Sequence, residues 1–136
     1  MTLRNMLVSA IVLGAGLPAG GTNHAKADDT TVYELRTYTA APGKMADLQK
    51  RFRDHTMQIF EKHGMKNVGY WVSVKQPDTL IYILAHKSRA AADKSWAEFR
   101  ADPEWKRVRD ESQKDGSLTT KVVSVYMTPT DFSPLK

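Results

Sequence analysis

The hydrophobic and polar positions change period several times along the chain, and each change marks an element. TVYELRTYTA (Thr31–Ala40) is rich in β-branched and aromatic residues and predicts a strand, which APGK then breaks. From Lys44 to His63 the period becomes helical, with Met45, Leu48, Phe52, Thr56, Ile59 and His63 on one stripe and charges opposite. Gly64 stands where a helix C-terminal glycine belongs. NVGYWVSV (Asn67–Val74) and LIYILAH (Leu80–His86) predict two strands joined by a hairpin through KQPDT. Ser88 is placed to cap a second helix whose apolar side is Ala92, Trp96 and Phe99. Asp102-Pro103 restarts a helical turn anchored by Trp105 and Val108, and Gly116 ends it. SLTTKVVSVYM (Ser117–Met127) predicts the last strand, and TPTDFSPLK (Thr128–Lys136) an extended arm.

Strand, helix, strand, strand, helix, strand is the split βαβ order of ferredoxin-like α+β folds, with both helices on one face of a four-stranded antiparallel sheet. The other face also needs cover. Val68, Tyr70 and Val72 alternate with Trp71, and Leu80, Tyr82 and Leu84 alternate with Ile81 and Ile83, so these strands are apolar on both sides. The same face of a second copy is the cheapest cover for so short a chain, which predicts a homodimer.

The beginning of the chain reads differently. Arg4 is followed by MLVSAIVLGAGL, an apolar run of 12 residues, and then by small residues ending in Ala25-Lys26-Ala27. This is the pattern of a secretory signal peptide cleaved after Ala27. The run is short for a membrane span, which takes about 20 residues, although an uncleaved N-terminal anchor stays open. Residues 1–27 are therefore expected to be a signal peptide and 28–136 a single domain, periplasmic or secreted, with no stable membrane span. Without the leader, 18 basic and 15 acidic residues remain, too mild a balance for a nucleic-acid footprint. The absence of cysteine excludes disulfides, thiolate catalysis and zinc-thiolate sites.

Five segments taken in order, YELRTYT with PGK, then Phe52 and His63-Gly64, then VGYW and ADPEW, resemble the NIPSNAP family from about Val32 to Met127. The resemblance implies a dimeric α+β barrel, in which two four-stranded sheets face each other. That superfamily also holds antibiotic-biosynthesis monooxygenases and haem-degrading enzymes. Animal members of the family are associated with mitochondria and autophagy adaptors, partners that a chain with an export signal does not inherit. Where family members often carry histidine and tryptophan in the third strand, this chain has Tyr82 and Leu84.

For chemistry, Glu34, Arg36 and Tyr38 share one face of the first strand. If Tyr33 and Leu35 pack under the helices, that charged face looks toward the partner sheet. Three readings stand: a structural ion pair, an arginine fork for an anionic or carbonyl ligand oriented by glutamate, or rim exposure. Tyr70, Tyr82 and His86 are candidate neighbours in the same cavity, or simply packing residues with a wet tip. His55 and His63 lie about 80° apart around a helix and do not converge on one metal, and His63 is read as a cap or dipole partner. No HExxH, glycine-rich phosphate loop, GxSxG or EF-hand pattern occurs, so neither a metal site nor a cofactor is expected. Trp96, Phe99 and Trp105 read as core. The functional expectation is an exported homodimer holding a small, partly apolar ligand between its sheets. A cofactor-independent monooxygenase or isomerase, with His86 or Tyr82 as proton carrier and Arg36 stabilising charge, is the enzymatic alternative; a protein-interaction module is the third.

Overall fold

The structure, a computed structural model, describes residues 30–136; the expected signal peptide lies outside the described residues. Four strands, β1 (Val32–Ala40), β2 (Lys66–Val72), β3 (Thr79–His86) and β4 (Thr119–Met127), form one antiparallel sheet in the order β2-β3-β1-β4. Between β1 and β2 run α1 (Met45–Arg51), a π-helical stretch (Phe52–Thr56) and α2 (Met57–Lys62) as one continuous helix. Between β3 and β4 come α3 (Arg89–Ala101) and α4 (Pro103–Ser112). The ferredoxin-like order read from the sequence is the order observed.

The element ends follow the expected chemistry. Ser88 Oγ accepts from the Ala91 amide at 3.0 Å and caps α3, and Asp102 accepts from the Glu104 amide at 2.7 Å with Pro103 opening α4. Gly64 has φ +76, the left-handed conformation that ends a helix at little cost only for glycine. His63 is indeed at a helix end: its Nε2 lies 2.6 Å from Asp102 Oδ2, tying the end of α2 to the start of α4.

Two local departures were not read from the sequence. The first helix widens at Phe52–Thr56, and the Thr56 hydroxyl donates to the Arg51 carbonyl at 3.2 Å. After the widening Phe60 lies buried beside Ile59, and ahead of it Arg51 is buried with Leu48, Phe52 and Thr56. In β2 the register with β3 slips between Asn67 and Gly69. Val68 is the extra residue, so Asn67 and Tyr70 share a face and the Tyr70 hydroxyl reaches Asn67 Oδ1 at 2.5 Å.

The core lies between sheet and helices, around Tyr82. Its ring stacks on Tyr70 at 5.1 Å and meets Phe52 edge-on at 5.1 Å and Tyr38 at 5.3 Å. The opposite face presents Leu35, Thr37, Ile81, Ile83, Trp71, Val123 and Val125, paired across the strands. Trp71 is 53% exposed there and folds its indole over Gly69, where a Cβ would meet Trp71 Cη2 at 2.5 Å. The C-terminal arm returns to this side of β1, where the Tyr33 hydroxyl donates to the Lys136 carbonyl at 2.6 Å.

Candidate functional site

The parity of β1 is the reverse of the expected one. Glu34, Arg36 and Tyr38 pair with Leu84, Tyr82 and Leu80, three core residues, and so lie on the helix-covered face. Tyr33 and Leu35 occupy the open face instead. The charged trio therefore does not look toward a partner sheet, and a cavity built from it lies between sheet and helices.

Glu34 is the centre of the arrangement and is fully buried, at 0% exposure. Its Oε1 accepts from Arg36 Nη1 at 2.6 Å and from Ser124 Oγ at 2.6 Å. Its Oε2 accepts from Trp96 Nε1 at 2.7 Å and lies 2.9 Å from His86 Nε2. Each oxygen thus has two partners supplied by β1, β3, β4 and α3. Burial alone would push this carboxyl up; the hydrogen bonds from His86, Ser124, Trp96 and Arg36 outweigh it and bring the pKa down to about 2. Because the carboxylate only accepts, the His86 proton sits on Nε2, leaving Nδ1 buried without a partner among the described residues.

Arg36 is held from several sides. Nη1 binds Glu34, Nη2 donates to the Tyr38 hydroxyl at 3.2 Å, and the guanidinium lies 4.3 Å from the Trp96 ring. Burial would favour losing its charge, but Tyr82, Tyr38 and Glu34 more than offset that and keep its pKa above the ordinary arginine value.

The Tyr38 hydroxyl lies 3.1 Å from that of Tyr82, which is fully buried. A buried O–H left without an acceptor costs more than an unused lone pair. Tyr82, with Tyr38 as its hydrogen-bond partner, therefore donates to it. Tyr38 accepts from both Arg36 and Tyr82, and its own proton is free to point outward.

Outward is an open groove of about 450 Å³ between the β1–β4 side of the sheet and α3–α4. Its walls include Arg36, Tyr38, Trp96, Trp105, Ser124 and Tyr126, with Asp93 and Arg100 at its exposed margin. Of the six residues expected to form a cavity, Glu34, Arg36 and Tyr38 line this groove. Tyr82 and His86 stand behind them in the same hydrogen-bond network. Tyr70 lies outside that network: it stacks on Tyr82, its hydroxyl donates to Asn67, and burial pushes its pKa up. Trp96 and Phe99 are core, as expected, but with the half-buried Trp105 they also wall the groove.

Sequence reasoning missed Trp96 and Ser124 as partners of Glu34. The available signal was that a buried indole N–H requires an acceptor. Among the described residues, no group of three histidine or acidic side chains could hold a metal ion, and no helix is long and apolar enough to cross a membrane.

This is a ferredoxin-like α+β domain with a buried Glu-Arg-Tyr network at the floor of an aromatic groove. The NIPSNAP family model matches residues 33–134, and the chain belongs to that family. A NIPSNAP family protein of unknown function from Agrobacterium tumefaciens str. C58 is similar at 27% identity and a TM-score of 0.70, covering 80% of this chain and 96% of that one. An uncharacterised NIPSNAP-like domain protein from Burkholderia xenovorans is similar at 17% identity and a TM-score of 0.69, covering 78% and 90%. A putative antibiotic biosynthesis monooxygenase from Nitrosomonas europaea shares the fold at 14% identity and a TM-score of 0.57, covering 77% and 95%. No curated protein matches the chain.

Proposed function

We propose that this NIPSNAP protein is an exported homodimer that holds a small, partly apolar ligand in the groove between sheet and helices. The ligand carries a carbonyl or carboxylate oxygen, received by the Tyr38 hydroxyl beside the Arg36 guanidinium. The observation that carries this reading is the fixing of Arg36 by Glu34, Tyr38 and Trp96 at the floor of an aromatic groove. A charge held in place before the ligand arrives loses little entropy on binding, and aromatic walls suit an apolar body.

Binding is favoured over catalysis because both Glu34 oxygens are already occupied and the carboxylate holds no spare basic lone pair aimed at the groove. His86 and Tyr82, the expected proton carriers of the enzymatic alternative, do not line it. Export rests on Arg4, the apolar run and Ala25-Lys26-Ala27. Pairing of two copies rests on the uncovered apolar sheet face.

Native mass spectrometry of protein from the producing cell tests this reading. The expected result is a dimer of chains beginning near Asp28 that retains a small molecule. The double variant Glu34→Gln with Arg36→Met, which leaves no buried charge unpaired, is expected to fold and lose that molecule. Full retention by the folded double variant would remove Arg36 from any binding role.

A further inference from the structure

A second groove, of about 390 Å³, lies between the first helix and α4 and shares no lining residue with the first. Arg51 is part of its wall and is only 7% exposed. Buried cations are ordinarily paired with an anion or hydrogen-bonded at every donor, since desolvating an unpaired charge is costly. Arg51 has neither. Among the described residues no carboxylate forms an ion pair with it. Nη1 donates to Ser112 Oγ at a long 3.3 Å, and Nε is buried without an acceptor. Burial accordingly lowers its pKa, against a smaller opposing effect from Tyr38 and Tyr82. The Trp105 ring, 5.1 Å from the guanidinium, and the C-terminal end of α4 at Ser112 both favour a cation, but each is weak beside a desolvated charge.

The acidic residues around the groove are mostly engaged elsewhere. Asp47 pairs with Lys44, Asp54 with Lys50 and Glu111 with Arg107, while Asp115 is exposed. Lys44 and Lys50 are the partners of Asp47 and Asp54 and add no net charge, while Lys114 stands on the same wall. The sequence stripe of the first helix placed Arg51 among its polar positions; three residues after Leu48 in α1, it shares that residue's buried face.

We infer that this groove is a binding site for a small oxyanion, carboxylate or phosphate, seated on the Arg51 guanidinium. A planar guanidinium with an unmet Nε donor and a long Nη1 bond matches either group. The site stands apart from the Arg36 groove, so its failure would leave the proposed function untouched, and the reverse holds as well.

The test is thermal unfolding of the full chain in rising inorganic phosphate, and separately in rising acetate, with chloride adjusted to constant ionic strength. The expected result is a saturable rise in Tm with at least one anion. A response to phosphate alone assigns a phosphate, and a response to acetate a carboxylate. In Arg51→Gln the apparent affinity falls about tenfold or more, as expected for losing a charge-assisted contact. A shift that persists unchanged in Arg51→Gln would overturn the assignment. So would the absence of a saturable response to either anion in the wild-type protein, a criterion that stands even if the variant fails to fold.

Discussion

Glu34 shows how a single residue's chemistry is set by what surrounds it. A fully buried carboxylate is tolerable only because four donors converge on its two oxygens. Its folded pKa of about 2 lies below the ordinary 4.5, so its contribution to stability is complete above about pH 4.5 and is lost as pH falls toward 2. The shift corresponds to a contribution on the order of 3 kcal/mol. Asp102, held low chiefly by Lys62 and then by His63, destabilises the fold in the same acid direction. Urea midpoints measured from pH 6 down to 2 should fall steeply in wild type and less steeply in Glu34→Gln, whose side chain does not titrate. Parallel profiles for the two proteins would show that Glu34 is not the group responsible. In the sequence, Glu34 and Arg36 were recognisable as a same-face pair. Their direction was not, because Tyr33 and Leu35 on the other parity are equally good core residues.

At the scale of the element, the first helix is the informative case. Its apolar period correctly gave its extent and its buried side, but not the π-helical stretch at Phe52–Thr56. A wider turn needs a reason to persist, and here the Thr56 hydroxyl satisfies the Arg51 carbonyl. Thr56→Val keeps the shape and removes that bond at a buried site, at an expected cost of about 1 kcal/mol. Chemical denaturation measures it; a change within error of zero would mean that packing alone maintains the turn. The slip in β2 at Val68 is similar in kind. Alternation in the sequence assigned Val68 to the face of Tyr70, whereas the bulge gives that place to Asn67, which then binds both Tyr70 and the Met57 carbonyl. A one-residue irregularity leaves no mark on composition and is visible only through its partners.

Among the described residues the sheet has one covered face and one open one, and the residues that distinguish a folding defect from an association defect follow from that. Tyr70 and Leu84 belong to the helix-side packing, so a charge there would unfold the chain. Ile83 lies at the centre of the open face, between Leu35 on β1 and Gly69 on β2. Ile83→Asp is expected to preserve the circular dichroism of the fold while shifting the molecular mass measured by light scattering from two copies to one. A wild-type monomer at micromolar concentration, or an Ile83→Asp dimer, would remove this face as the interface.

Element order, caps and the two-sided apolar character of β2 and β3 were legible along the chain because they depend on neighbours within a turn or a strand. Ser88, Pro103 and Gly64 act on amides and torsions beside them, so spacing alone identifies them. The site was legible only as a set of residue types. Glu34 meets His86, Trp96 and Ser124 across 52, 62 and 90 residues of chain. Arg51 is buried without a carboxylate partner where α4 packs against it through Ser112 and Trp105. Which face of β1 enters the core is decided by those distant donors: burying a carboxylate without them costs more than burying the apolar alternative gains, and no local pattern records where they will arrive.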